Sequence, residues 1–311
     1  WLFELVVGEY GLWTLGIRYA VALVLPIVGT FFLVFSLLED TGYFPRLALL
    51  VDRLFKTIGL SGRAVIPIVL GFGCDTMATL VTRTLETKRE RIIATMLLAL
   101  AIPCSAQLGV ILGLLSAAPD ALFVWTVFLL LLFLFIGFLA AKVLPGENPV
   151  FYMEIPPLRF PQLRNVMVKT LTRMQSYFVE ILPLFLFASV VLWAGKMTGT
   201  LENVINVFSP VVKAIGLPVE VTTAFVFGFF RRDFGAAGLY DLQTSGLLTV
   251  AQLTVAAVTL TLFVPCVAQF LVMIKERGIK VAMVIFVFVT VMAFSSGWVL
   301  NRFLLVTGLL A

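Results

Sequence analysis

Residues 92–116 read IIATMLLALAIPCSAQLGVILGLLS, an uncharged run long enough to cross a bilayer as a helix, for which about 20 apolar residues suffice. Pro103 stands near its middle, followed by Cys104 and, one turn on, Gln107. A proline inside a helix removes one hydrogen bond and frees the carbonyl one turn earlier. The stretch therefore reads as a membrane helix interrupted at its centre, with a bare carbonyl, a soft sulfur and an amide close together. Residues 250–274 repeat the pattern with Pro265, Cys266 and Gln269.

The whole chain agrees with a membrane setting. Of 311 residues, 61% are hydrophobic and 13% charged, and mean hydropathy is +1.10. Soluble domains are about 45–50% apolar and about 25% charged, so a water-soluble body is excluded, as are disorder, collagen and coiled coil. The fold class is an all-α polytopic membrane protein. Further spans are expected at 17–38, 121–143, 177–195 and 281–300, with Trp125 and Trp298 as interfacial anchors. Residues 145–176, rich in Pro and charge, predict a loop leading into an amphipathic interfacial helix. Residues 43–58 and 200–216 are expected to lie along the membrane in the same way. The first residue is Trp1 rather than Met, and the chain reads as a fragment with an upstream part.

Two other apolar stretches are broken by glycines and charges. Residues 64–80 contain Gly71-Phe72-Gly73-Cys74-Asp75, and 219–240 contain Arg231-Arg232-Asp233-Phe234-Gly235. Such breaks suit re-entrant hairpins lining a cavity, where freed backbone groups find partners. The alternative is two ordinary spans with loops at those positions.

The chain also matches itself. At an offset of 157, Leu25-Pro26 meets Leu182-Pro183 and Thr41-Gly42 meets Thr198-Gly199. Ile58-Gly59-Leu60 meets Ile215-Gly216-Leu217, and Gly71-Phe72 meets Gly228-Phe229. At an offset of 162, Pro103-Cys104 meets Pro265-Cys266. Residues 1–144 and 177–311 are read as two gate repeats joined by 145–176. Interrupted helices at matching places in two repeats are a transporter signature, with the site at their interface. With both hairpins re-entrant, segments 82–91, 142–176 and 275–280 share one side and carry +2, +3 and +2, against −1 and 0 for 116–120 and 195–220. That distribution satisfies the positive-inside rule, makes the repeats inverted, and assigns the net charge of +5 to loops rather than to nucleic acid.

Three cysteines, Cys74, Cys104 and Cys266, all fall in these interruptions, and no histidine occurs. Without imidazole, a metal site must use thiolate, carboxylate and backbone oxygen. Thiolate selects iron, zinc or copper(I) over sodium, magnesium or calcium. The bland reading of each cysteine is a small buried hydrophobe. A carboxylate at membrane depth is a functional candidate by default, which singles out Asp75 and Asp233. Asp233 beside Arg231 and Arg232 reads equally as a salt-bridged gate. Glu39 and Asp40 read as an acidic cation entrance or as a solvated helix end. Gly71, Gly73, Pro103 and Pro265 are the helix-breaking residues, and Gln107 and Gln269 complete the candidate pathway. No phosphate-binding loop and no catalytic triad is present, so no hydrolytic activity is expected here.

At these motifs the sequence resembles the membrane part of the ferrous iron transport protein B family. Matching residues are Leu37-Leu38-Glu39-Asp40-Thr41-Gly42-Tyr43, Arg46, Asp52-Arg53, Ile58-Gly59-Leu60 and Gly71-Phe72-Gly73-Cys74. Thr82-Arg83-Thr84-Leu85-Glu86, Arg91, Cys104-Ser105-Ala106 and Val264-Pro265-Cys266-Val267-Ala268 follow. The resemblance implies a bacterial inner-membrane Fe2+ transporter whose gate cysteines carry over to Cys74, Cys104 and Cys266, with Asp75 beside them as metal-site candidate. It also implies an upstream G domain using GTP and Mg2+, and a small accessory cytoplasmic protein and a homo-oligomer as partners besides lipid. No cofactor is implied within this chain. The sequence departs from the family at Asp75-Thr76-Met77, at Gln107-Leu108-Gly109 and at Arg232-Asp233, which marks a divergent subgroup. Similar gates occur in nucleoside transporters, so an organic-solute permease is one alternative, and a non-transporting membrane scaffold is another.

Overall fold

In the computed structural model, residues 25–146, 159–263 and 265–308 are described; the start of the 17–38 span and most of the 145–162 loop lie outside them. The described residues form α-helices and short 3-10 turns. Residues 25–146 contain α1 (Leu25–Asp40), α2 (Tyr43–Thr57), α3 (Val65–Gly71), α4 (Asp75–Val81), α5 (Lys88–Ala101), α6 (Ser105–Leu115) and α7 (Pro119–Val143). Residues 159–308 contain α8 (Leu163–Met197), α9 (Thr200–Ala214), α10 (Val221–Phe230), α11 (Arg232–Thr244), α12 (Val250–Leu262), α13 (Val267–Arg277) and α14 (Ile279–Thr307). By length and composition α7, α14 and the end-to-end pairs α5–α6 and α12–α13 can cross a membrane.

Sequence matches between the repeats become matches of backbone geometry. Gly42 and Gly199 take positive φ, 76° and 67°, at the turns into α2 and α9. Gly59 and Gly216, at φ 75° and 88°, end those helices. There Leu60 N–H donates to Phe55 O at 2.9 Å and Leu217 N–H to Val212 O at 3.3 Å. This is the bonding of a left-handed glycine cap, which only glycine adopts without strain. Thr87 with Glu90 opens α5 and Thr249 with Gln252 opens α12, each as a reciprocal capping box, which satisfies first-turn donors on both sides.

Polar contacts sort the helix ends into two sets. Ser61 N–H donates to Glu90, Arg63 pairs with Glu86, and Arg89 donates to Ala141 O and Gly146 O. Arg83 pairs with Glu276, and Arg277 donates to Thr82 and Thr95. These gather 61–63, 82–91, 141–146 and 276–277 at one end. At the other end Gln252 reaches Gly216 O, and a Cβ on Gly216 would strike Asn301. The α3–α4 hairpin therefore opens toward the first end and the α10–α11 hairpin toward the second. The second hairpin is held shut by small residues: a Cβ on Gly235 would come within 2.8 Å of Gly228 Cα and Ala224 O.

Three expectations need correction. The predicted interfacial helix and the 177–195 span are one continuous helix, α8, with Pro183 inside it. Its first half lies along α1, held by Arg173 and Lys169. The interruption of 219–240 is confined to Arg231, whereas Arg232–Gly235 is already helical, because one extended residue is enough to start the return arm. Trp125 is buried, 5% exposed, and donates to Thr261 Oγ1 at 3.2 Å. It is a packing residue between α7 and α12 and not an interfacial anchor. Trp298 is exposed, with Arg302 over its ring.

Candidate functional site

Four helices begin at the middle of the bundle, and the residues that open them are the ones singled out by sequence. Cys74 precedes α4, Cys104 precedes α6, Arg231 precedes α11 and Cys266 precedes α13. Each has extended backbone. Cys74 and Arg231, at equivalent repeat positions, have φ, ψ of −152°, 114° and −150°, 119°. Cys104 and Cys266 have −68°, 161° and −60°, 158°. The carbonyl of each takes the first helical hydrogen bond, from Ala78, Leu108, Gly235 and Phe270 respectively. Three of the four opening positions are thus cysteines, all free and half-buried.

The two kinds of break are tied together. Gly73 O accepts from both the N–H and the Oγ of Ser105, at 3.2 and 3.0 Å. Gly73 has no room for a side chain, since a Cβ would lie 2.5 Å from the Phe31 ring. Gly71 packs on Leu98 and Ile102. The glycines therefore bring the first hairpin tip against the Pro103 break.

Arg232 crosses from the second hairpin into that junction. Its Nη1 donates to Asp75 Oδ2 at 2.5 Å and to Ile102 O at 3.0 Å, and its Nη2 donates to Ala99 O at 3.1 Å. Ala99 is the residue whose carbonyl Pro103 leaves free, four positions earlier. The pair is sealed, with side chains 3% and 2% exposed. The sulfurs of Cys74, Cys104 and Cys266 all lie within electrostatic reach of the guanidinium, and Cys266 lies against Thr76.

Several buried polar atoms here have no protein partner: Asp75 Oδ1, Arg232 Nε, Gln107 Oε1 and both amide atoms of Gln269. Gln107 Nε2 donates to Leu260 O at 3.1 Å. Orphaned groups of this kind are rare and call for water, an ion or a ligand. Among the described residues, no three Cys, Asp or Glu side chains stand close enough to hold a metal ion. Asp75, Cys74, Cys104 and Cys266 are neighbours without forming a coordination shell, and a guanidinium sits against the carboxylate.

The remaining predicted residues lie elsewhere. Asp233 pairs with Arg231 at 2.9 Å, and the Arg231 guanidinium also lies over the Phe234 ring. Glu39 pairs with Arg173 at 2.6 Å, and Asp40 with Lys169 at 3.4 Å. Asp40 also accepts from the Gln162 N–H at 2.8 Å. That N–H and the Lys169 ammonium hold its carboxyl below the usual carboxylate range. Glu39 and Asp40 thus fasten α8 to α1 and do not form a bare acidic mouth. The Asp75–Arg232 contact is what sequence reasoning missed. Its signal was there: 75 and 232 differ by 157, the repeat offset, and carry opposite charges.

Comparison with known proteins places these features. Residues 21–118 and 178–280 match the family described as "Gate: Nucleoside recognition", and residues 122–173 match "Ferrous iron transport protein B C terminus". A Staphylococcus aureus protein named "Fe(2+) transporter FeoB" is 30% identical over 290 residues, covering 84% of this chain and 43% of that protein. A Methanocaldococcus jannaschii protein of the same name is 26% identical over 299 residues, covering 85% and 45%. A Porphyromonas gingivalis "Fe(2+) transport protein A/Fe(2+) transporter FeoB fusion protein" is 35% identical over 175 residues, covering 54% and 21%. The chain spans less than half the length of these relatives. No solved structure matches it.

Proposed function

The chain belongs to the Gate (nucleoside recognition) family, and from that premise we propose that it is the membrane-embedded part of a transporter carrying Fe2+ inward across a bacterial inner membrane. The observation that carries this reading is the meeting of four helix starts at mid-bundle, three of them opened by cysteine. Helices broken near the bilayer midplane at a repeat interface are where transporters bind ions. Thiolate, carboxylate and freed carbonyl together suit a borderline divalent metal. Weak or stepwise binding by such groups also permits release.

The end that gathers Arg63, Arg83, Arg89 and Arg277 faces the cytoplasm under the positive-inside rule. Repeats 1–144 and 177–311 then rock about the central contact. Energy comes from a GTP- and Mg2+-binding domain in the longer protein. The fusion protein's name supports a small accessory partner, and self-association of the transporter is part of the same reading. The chain itself carries out no covalent chemistry.

One observation favours a second reading. The unpartnered amide of Gln269, with Gln107, Thr76 and Asp75, would suit the hydroxyls and amides of a nucleoside-like solute.

The test is uptake of radioactive Fe2+, under anaerobic reducing conditions, into vesicles carrying the full-length parent. Wild type is compared with Cys104→Ser and Cys266→Ser at equal membrane insertion. Loss in both variants is the expected result. Unchanged uptake in both would remove the thiols from the pathway and leave Asp75 and the carbonyls. Nucleoside uptake without iron uptake would favour the second reading.

A further inference from the structure

The oxygens gathered around Arg232 are the ones a divalent cation would need. A carboxylate, Asp75, and two main-chain carbonyls, Ala99 O and Ile102 O, point at one guanidinium. Pro103 creates one of these acceptors and the end of α5 supplies the other. The second carboxylate oxygen, Asp75 Oδ1, has no partner, so the carboxylate holds unused coordination capacity. Each of the three cysteine sulfurs lies within electrostatic reach of the same charge.

The fit of the guanidinium is incomplete. Its Nε lies buried without an acceptor, although an arginine has five donors to satisfy. A buried ion pair gains little net stability over well-packed apolar groups, because desolvation offsets the Coulomb attraction. An imperfectly satisfied pair is therefore poised to exchange partners. The side chain is long, and it is rooted in the first turn of α11, on a hairpin separate from its acceptors.

Resting on the iron-transport reading, we propose that Arg232 is a tethered cation that fills the metal position at rest, so that Fe2+ reaches the centre only by displacing it from Asp75, Ala99 O and Ile102 O. The guanidinium keeps Asp75 neutralised while no metal is bound, which an isolated buried carboxylate would not tolerate. It also sets a threshold for selection. A monovalent ion offers the oxygens no more charge than Arg232 does, whereas a divalent ion doubles it and binds cysteine sulfur as thiolate with release of the thiol proton. Displacing the guanidinium leaves it free to move with the second hairpin, which links ion arrival to rearrangement of the two tips.

A self-blocked site has an apparent affinity lowered by the fraction of molecules in which it is open. The full-length protein in lipid nanodiscs is titrated anaerobically with ascorbate-reduced Fe2+, and alkylation of Cys104 by a small uncharged maleimide is followed by peptide mass spectrometry. Fe2+ is expected to protect Cys104 in wild type. Arg232→Gln should lower the half-protecting concentration by about tenfold, whereas Arg232→Lys, which keeps the charge, should stay within about threefold of wild type. Equal half-protection in wild type and Arg232→Gln would overturn the proposal and leave iron binding at the thiols standing. No protection in either would overturn it together with the iron reading. If Arg232→Gln does not insert, Asp75→Asn carries the test: half-protection should rise by at least about tenfold, and an unchanged value overturns the proposal.

Discussion

Asp75 and Arg232 occupy the same place in the two repeats, 157 residues apart, and their side chains meet at 2.5 Å. Each is the first residue of the returning arm of its hairpin, so the contact lies where two hairpins entering from opposite ends touch. A duplicated chain with identical residues there would set two like charges, or two neutral groups, against each other. Opposite charges at the equivalent positions turn the meeting point into an attraction and remove the equivalence of the halves.

Exchange of the two charges tests that geometry. Breaking a buried pair from one side costs about 3–5 kcal/mol, so Asp75→Arg and Arg232→Asp should each lower the thermal midpoint of the detergent-solubilised protein sharply. The double variant should recover at least half of the loss, because Pro265 frees Thr261 O as Pro103 frees Ala99 O. Unfolding followed by size-exclusion recovery of the full-length protein after heating reads this directly. No recovery in the double variant would mean that the Ala99 and Ile102 carbonyls, and not the charge pair, dominate.

The second hairpin depends on backbone contact between its arms. Gly235→Ala would place a methyl 2.8 Å from Gly228 Cα and from Ala224 O, and main chain cannot move aside as a side-chain end can. Overpacking of this sort costs about 1–3 kcal/mol. Gly109→Ala meets nothing within 4 Å and should be neutral or slightly stabilising, since alanine favours helix over glycine by about 1 kcal/mol. Thermal midpoints of the two variants should therefore move in opposite directions or differ clearly in size.

Much of this arrangement was legible before any coordinates. The Pro103 and Pro265 breaks and both hairpins follow from residues whose backbone chemistry leaves few choices. The continuity of α8 was not, because polar 163–176 and apolar 177–195 differ in their surroundings and not in backbone preference. Trp125 misled for a related reason: position near a span end suggests an interface, but its partner Thr261 lies 136 residues away. The occupancy of the central oxygens by Arg232 was hidden too. Sequence shows which carbonyls are freed, but not which distant side chain reaches them.

At the Arg-rich end, Arg83 pairs with Glu276 and Arg277 donates to Thr82 and Thr95, so the first repeat is joined to the second. The Arg83 side chain is 55% exposed and that of Glu276 8%, so Arg83→Ala should cost about 1 kcal/mol, the upper end for a partly screened pair. Arg277→Ala removes two hydrogen bonds between the repeats, leaving the Thr82 and Thr95 hydroxyls only the bonds they donate to Thr79 O and Arg91 O, and should cost more. Hydrogen exchange at the end of α13 should rise in both variants, with the larger rise in Arg277→Ala. In high salt the Arg83 effect should shrink while the Arg277 effect persists.

Asp40 supplies a pH dependence whose direction is fixed. Its carboxylate accepts the Gln162 N–H at 2.8 Å and faces Lys169, and both contacts lower its pKa in the folded chain. A depressed folded value means that the stabilising contact is complete above the ordinary aspartate range, about 3.9. It is lost as pH falls through the lower, folded value. Protection of the Gln162 amide against hydrogen exchange, corrected for intrinsic rates, should therefore hold steady from neutral pH down to about 4 and collapse below. In Asp40→Asn the charge is absent at every pH, so protection should be weaker throughout and show no such step. A step at the same pH in Asp40→Asn would overturn the assignment of the titration to Asp40.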